Sequence, residues 1–111
     1  MIIVYKTTQL EKQCNNTLVA RKEFGAHGAK KLRKRLDDLK DIANLDEAKL
    51  VAGRCHELKG NLAGHFAVVL HDGWRLIFKP YHDPLPTKAD GGIDWCRVQA
   101  ICVVAVEDYH D

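Results

Sequence analysis

The stretch that decides the fold is residues 65–79, HFAVVLHDGWRLIFK. Asp72-Gly73 is the dipeptide that a type I′ turn prefers, because both central residues of that turn need positive φ. The runs on either side are rich in β-branched and aromatic residues, which is typical of strands. The sequence therefore predicts a β-hairpin with a two-residue turn, which sets Leu70 opposite Arg75.

Alternation along the second strand of this hairpin separates its side chains into two faces. Trp74, Leu76 and Phe78 share one face, and Arg75, Ile77 and Lys79 share the other. An unpaired arginine cannot face an apolar core without a large desolvation cost. We therefore expect the face of Arg75 to be open to solvent or to a ligand.

Three further strands are indicated outside the hairpin. Residues 2–5, IIVY, form a β-branched and aromatic start, and residues 54–60, RCHELKG, read as a short strand that ends at a glycine turn. Residues 97–106 form a strand with an apolar centre, so this strand should lie inside the sheet. Residues 66–70 and 101–106 are the predicted core, and residues 80–96 form an irregular connection.

Two helices are predicted between the first strand and the rest of the sheet. Residues 8–11, TQLE, fit a capping box that starts the first helix, with Leu10, Cys14 and Leu18 on its apolar face. Gly25 and Gly28 predict the turn that follows. Apolar residues at spacings of four, three and four indicate the second helix: Leu32, Leu36, Leu39 and Ala43. The expected fold is α+β, with two N-terminal helices packed on one face of a mainly antiparallel four- to five-stranded sheet.

Length and composition limit the classes of protein to which the chain can belong. Its 111 residues suffice for a single domain, 1–111. An apolar content of 46% and a charged content of 29% exclude disorder. No apolar run reaches the ~20 residues of a membrane span. Residues 1–6 show no basic leader or cleavage site, so we expect a cytoplasmic protein with no membrane contact.

The formal net charge of +2 hides a positive segment. Residues 21–35 carry seven basic residues and one acidic residue, whereas the rest of the chain is slightly acidic. Polyanions are the natural partners of such a segment, and both RNA phosphates and an acidic protein surface fit it. The candidate RNA-binding residues are Lys30, Lys31, Arg33, Lys34, Arg35 and, from the hairpin, Lys79.

Three landmarks in a fixed order carry a family resemblance: residues 54–60, RCHELKG; residues 73–78, GWRLIF; and residues 106–110, VEDYH. This set resembles the RelE/ParE superfamily of bacterial toxins, and within it the HigB-like or plasmid killer branch. The resemblance implies a type II toxin that cleaves mRNA on the ribosome without a cofactor. It also implies assembly with a neutralising helix-turn-helix antitoxin of the HigA-like kind. Carried over by position, the functional set falls on His56, Lys59, Arg75, Asp108, Tyr109 and His110.

These residue types suit RNA cleavage in which the ribose 2′-OH attacks the adjacent phosphate. Two imidazoles can supply the base and the acid, and His56 and His110 are assigned to these roles with their order left open. Arg75 and Lys59 would hold and neutralise the phosphate, since a guanidinium fork suits two phosphate oxygens. The remaining two residues have supporting roles: Tyr109 stacks on a base or hydrogen-bonds the ribose, and Asp108 orients a histidine.

Competing interpretations stay open at this stage. The chain could be a ParE-like toxin that poisons a protein target such as gyrase, or an inactive module that binds RNA or an antitoxin. His56 could be a half-buried strand histidine, and Arg75 could form a structural ion pair with a carboxylate such as Asp108. A metal site is disfavoured, because its candidate ligands are irregularly spaced. Those candidates are His65, His71 and His82 with Cys55 or Cys96.

Overall fold

A computed structural model describes residues 1–51 and 53–108. Within these ranges the strands are β1 (Ile2–Tyr5), β2 (His56–Glu57), β3 (Phe66–Val69), β4 (Trp74–Pro80) and β5 (Ala100–Asp108). The α-helices are α1 (Thr8–Asn15) and α2 (Thr17–Asp41). Short 3₁₀ turns lie at Leu45–Leu50, Gly60–Leu62 and Trp95–Arg97. No helix in the described ranges is long and apolar enough to cross a membrane.

The strands form one sheet in the order β1-β5-β4-β3-β2. β1 runs parallel to β5, and every other neighbouring pair is antiparallel. The apolar strand β5 therefore lies inside the sheet, as its sequence predicts. The N-terminal helices cover one face, so the predicted α+β fold class is confirmed.

The hairpin forms at the predicted turn but in a different register. Asp72 has φ 47° and Gly73 has φ 82°, which are the positive values that this turn needs. Arg75 lies opposite Val69 rather than Leu70, because Leu70 N donates to Trp74 O and three residues separate this pair. The predicted register was therefore wrong by one position. The division of the β4 side chains between two faces does not depend on this register, because it follows from the alternation along β4 alone.

The core lies between α2 and one face of the sheet. Leu32, Leu36 and Leu39 from α2 pack against alternate residues of the strands. The strand residues are Phe66, Val68, Leu76, Phe78, Ile101 and Val103. Of the predicted core segments, residues 66–68, 70 and 101–103 are buried, whereas Val69 and residues 104–106 are only half-buried.

The helix boundaries differ from the prediction. Thr7, rather than Thr8, caps α1, and its hydroxyl accepts from Leu10 N at 3.0 Å. α1 ends after two turns, and the side chain of Asn16 caps α2. Leu18 therefore lies in the first turn of a second helix and is 76% exposed, so the continuous apolar face predicted through Leu18 is wrong.

The predicted turn between Gly25 and Gly28 is confirmed at its first residue only. Gly25 has φ 77° and ψ 166° and interrupts α2, a backbone geometry that is nearly restricted to glycine. Gly28 is helical and buried. α2 consequently bends at Gly25, and its C-terminal part carries both the apolar stripe and most of the basic segment.

The long connection after β4 adds to the core on the helix side. Ile93 and Trp95 from residues 81–99 pack against the core, and the ring of Trp95 meets Phe66 edge-on at 4.7 Å between centroids. Thr87 and Ile93 form a β-bridge within the connection. The opposite face of the sheet, which carries Arg75, is not covered by α1 or α2.

Candidate functional site

An ion pair marks the sheet face that the helices leave uncovered. Arg75 on β4 lies opposite Glu107 on β5. Its Nε and Nη2 both donate to Glu107 Oε1, at 3.0 Å and 2.7 Å. The side chain of Arg75 is 19% exposed and that of Glu107 is 40% exposed. The guanidinium is thus held in one orientation while part of it still reaches solvent.

His56 lies on the same face, two strands away from Arg75. His56 pairs with Ala67 on β3, and Arg75 pairs with Val69 on the same strand. Ala67 and Val69 are two residues apart, so all four side chains lie on one face. Neighbouring strands are about 4.8 Å apart, so the backbones of β2 and β4 are separated by about 10 Å. The two positions are also offset by two residues along the strands, so the Cα atoms of His56 and Arg75 are about 12 Å apart.

The hydrogen bond of His56 fixes which ring nitrogen carries the proton in the neutral form. Nδ1 lies 2.8 Å from Arg54 O, and a carbonyl oxygen can only accept. The neutral ring therefore carries its proton on Nδ1, which leaves the lone pair on Nε2. His56 is exposed, so this nitrogen is placed to take a proton from a bound hydroxyl.

The other predicted site residues are placed less completely. Lys59 is exposed and directly follows β2. Asp108 pairs with Trp74 at the end of β5, and alternation puts this pair on the face opposite Arg75. Tyr109 and His110 lie outside the described residues. The structure therefore brings His56 and Arg75 to one face and places Asp108 on the other.

Most of the predicted basic surface lies on α2, on the helix side of the sheet. Lys30 is exposed and Lys31 is partly exposed. Arg33 forms an ion pair with Asp37 at 3.0 Å. Lys34 is likewise 3.4 Å from an aspartate one turn later, Asp38. Two of these four cations are thus partly neutralised within the helix.

Arg35 requires a correction. The sequence predicts an RNA contact, but the residue is only 7% exposed. Its Nε donates to Val69 O at 3.2 Å, and Nη1 lies 3.8 Å from Asp38. Arg35 therefore joins α2 to the end of β3, and its guanidinium does not present a charge to a ligand.

The described residues of this site include neither a reactive thiol nor a group of metal-ligating side chains. All four cysteines are free, and burial raises the pKa of Cys55, the residue before His56, to about 12. That thiol stays protonated near neutral pH and is a poor nucleophile. Among residues 1–51 and 53–108, no group of three His, Cys, Asp or Glu side chains could hold a metal ion. His71 stacks on His27 instead, with centroids 3.9 Å apart.

Two features escaped the sequence analysis. The first is Glu107 as the partner of Arg75. The second is a cavity of about 690 Å³ at the far end of β4, which contains the predicted RNA contact Lys79. Its lining consists of Val4, Tyr5, Lys6, Lys79, Pro80, Tyr81, His82, Asp83 and Cys102. Lys6 directly follows β1 and Lys79 lies on β4, so the sequence indicates that they are close only once both strands are known to flank β5.

Comparison with solved structures identifies the fold. No protein-family model matches the chain, and no curated protein is significantly similar to it in sequence. The YoeB-YefM complex from Staphylococcus aureus matches with a TM-score of 0.57 and 15% identity, covering 100% of this chain and 98% of that one. The YoeB/ParE toxin from Agrobacterium tumefaciens matches with a TM-score of 0.52 and 14% identity, covering 99% and 100%. The chain therefore has the RelE/YoeB-like toxin fold.

Proposed function

We propose that this protein is the toxin of a type II toxin–antitoxin system in the RelE/ParE superfamily, and that it cleaves mRNA on the ribosome. The observation that carries the proposal is the Arg75–Glu107 ion pair on the helix-free face, with His56 on that same face. The fold shared with YoeB and YoeB/ParE toxins supports it. The HigB-like branch rests on the sequence landmarks alone.

The arrangement suits attack by a ribose 2′-OH on the adjacent phosphate. Nε2 of His56 accepts the proton of the hydroxyl as the 2′-oxygen bonds to phosphorus. The guanidinium of Arg75 stabilises the charge that develops on the phosphoryl oxygens. The bond from phosphorus to the 5′-oxygen then breaks, and an acid protonates the leaving oxygen. His110 is proposed for this step, although the order of the two histidines can be reversed.

The other predicted site residues have supporting roles in this proposal. Lys59 contributes a second cation beside the phosphate, and Tyr109 stacks on a base or contacts the ribose. Asp108 orients a histidine, which requires the chain to leave strand geometry after β5, because Asp108 itself lies on the other face. The proposed cytoplasmic partner is a helix-turn-helix antitoxin, and the S. aureus neighbour is itself described as a toxin–antitoxin complex.

Induction of variants in growing cells tests this function. We expect the wild type to arrest growth and to generate new 5′ ends inside translated messages. Arg75→Ala and His56→Ala should each reduce these cuts by about 10²-fold or more, because each removes a positioned charge or base. Arg97→Ala and His27→Ala are matched controls, because both residues are exposed and neither belongs to the proposed site. Arg97 lies in the Trp95–Arg97 turn, and His27 lies on α2. Cuts that persist in both site variants would overturn the proposal.

A second function is favoured by one comparison, because the Agrobacterium neighbour is described as a YoeB/ParE toxin. A ParE-like protein poisons a protein target such as gyrase and cleaves no message. This alternative predicts growth arrest with intact messages, and toxicity that survives His56→Ala. Absence of arrest in the wild type would instead indicate an inactive module that binds RNA or an antitoxin.

A further inference from the structure

The cavity at the end of β4 lies on the same sheet face as Arg75. Its floor is the row of Val4, Cys102 and Lys79, which are paired across β1, β5 and β4. Lys79 follows Arg75 by four residues, so alternation gives both side chains the same face, and their Cα atoms are about 13 Å apart. The cavity is thus a concave surface on the same sheet face as the proposed site.

The walls of the cavity combine positive charge with an open aromatic ring. Lys6 and Lys79 are exposed, and Tyr81 is 58% exposed. Asp83 is the one carboxylate among the described residues of the lining, so the two ammonium groups leave this part of the cavity positive. Paired cations beside an aromatic face are what proteins use to bind single-stranded nucleic acid, because the phosphate meets the charge and the base stacks on the ring.

His82 fixes the wall that carries Tyr81. Its Nε2 accepts from the backbone N–H groups of Gln99 and Ala100, at 3.0 Å and 3.3 Å. A ring nitrogen that accepts carries no proton, so neutral His82 has its proton on Nδ1. Tyr81 N also donates to Ala100 O at 2.8 Å. The segment after β4 is therefore held against β5, and Tyr81 is presented from an ordered backbone.

We propose that this cavity binds one nucleotide of single-stranded RNA away from the scissile phosphate. Its phosphate would contact Lys6 and Lys79, and its base would stack on Tyr81. The inference rests on the proposed function, since it extends the path of the RNA along β4 from Arg75. The cavity would thus position the substrate and raise the affinity for RNA, whereas cleavage would take place at the site around Arg75.

Binding of a fluorescently labelled oligouridylate to the purified full-length chain, without ribosomes, tests the proposal by anisotropy. Tyr81→Ala should weaken binding about fivefold to a hundredfold, whereas Tyr81→Phe, which keeps the aromatic face, should bind like the wild type. Lys6→Gln combined with Lys79→Gln should reduce the slope of log affinity against log salt by about 0.7, the value expected for the loss of one phosphate contact. Lys12→Gln is the matched control, because Lys12 is exposed on α1.

Message cleavage in cells, measured on the same variants, separates this inference from the proposed function. If oligouridylate binding depends on Tyr81 but the wild type cuts no message, the cavity assignment stands and the nuclease assignment fails. If the wild type cuts messages but Tyr81→Ala binds RNA normally, the nuclease assignment stands and the cavity assignment fails. A wild-type protein that does not bind the oligouridylate, or that loses affinity equally with Lys12→Gln, overturns the cavity assignment. Unchanged circular dichroism melting shows that each variant is folded.

Discussion

Glu107 holds the guanidinium of Arg75 through two hydrogen bonds, which both end on the same carboxylate oxygen. Glu107→Gln keeps the size of the side chain and removes its charge. An ion pair at this partly exposed position contributes about 0.2–1 kcal/mol to stability, so the melting temperature should change by only a few degrees. The cleavage rate should fall about tenfold, because the guanidinium is no longer held in one orientation. Glu57→Gln, on the opposite face of β2, serves as the control. A cleavage rate that is unchanged in Glu107→Gln would show that the pair does not position Arg75.

Cys14 makes stability depend on pH in the alkaline range. Burial, opposed in part by Arg33, raises the pKa of its thiol from 9.0 to about 12. The unfolded chain therefore releases this proton above pH 9 while the folded chain keeps it, so the contribution to stability is complete below pH 9 and falls as the pH rises. From pH 8 to pH 10, the wild type should lose about 1.4 kcal/mol more free energy of unfolding than Cys14→Ala.

Urea unfolding with reductant present, at both pH values, measures this difference. Cys96→Ala is the matched control, because Cys96 is an exposed free thiol. Equal losses in the wild type and Cys14→Ala would mean that the thiol ionises as readily in the folded protein as in the unfolded chain.

At the residue scale, the sequence predicts the direction of Arg75 but not its partner. The direction follows from alternation and from the cost of burying a charge, both of which are local. The partner depends on how β4 and β5 align, and their register shifts between Ile77 and Phe78. A shift of this kind has no marker in the sequence, so the sequence predicts a carboxylate such as Asp108 beside Arg75 without identifying Glu107.

At the scale of single elements, Gly25 is the residue on which α2 depends most. Its φ of 77° and ψ of 166° lie in a region that other residues avoid, and an added Cβ would meet no atom within 4 Å. Gly25→Ala should therefore lower the free energy of unfolding by about 1–3 kcal/mol through backbone strain alone. Glu23→Ala, also exposed in α2, should change it by less than about 0.5 kcal/mol. Urea denaturation compares the two, and a neutral Gly25→Ala would show that the bend is not required.

The helices illustrate why element boundaries are harder to predict than element types. The apolar spacing of Leu32, Leu36 and Leu39 predicts a buried helix face, and the structure buries all three. The sequence does not reveal the break at Asn16, because asparagine is also common in loops and turns. Its capping role is visible only in the structure, where its side chain accepts from Leu18 N and Val19 N. Neighbouring threonines, Thr7 and Thr8, likewise offer equivalent caps in sequence.

At the scale of the whole molecule, charge is divided between two sides of the sheet. The exposed lysines of α2 lie on the helix side, whereas Arg75, Lys79 and His56 share the other face. A short single strand bound along β4 therefore does not reach α2. We therefore expect the basic segment to make a separate contact, and both ribosomal RNA and an acidic antitoxin surface would fit its charge.

Replacing Lys30 and Lys31 together by glutamine tests this division. Co-sedimentation with ribosomes should weaken, and its salt dependence should fall by about one unit for each lost phosphate contact. Oligouridylate binding should stay unchanged, because Lys79 and Tyr81 are intact. Lys12→Gln combined with Lys40→Gln, both exposed, is the control. An equal loss in both assays would show one continuous RNA surface, and a loss in neither would assign the segment to a protein partner.

The chemistry of the cut ends tests the central claim most directly. Attack by the 2′-oxygen on the adjacent phosphate, with departure of the 5′-oxygen, leaves a 2′,3′-cyclic phosphate on one fragment and a 5′-hydroxyl on the other. We expect these ends on messages cut by the wild type during translation, and their loss in Arg75→Ala and His56→Ala. Fragments with 5′-phosphate and 3′-hydroxyl ends, or messages that stay intact while growth stops, would contradict the account.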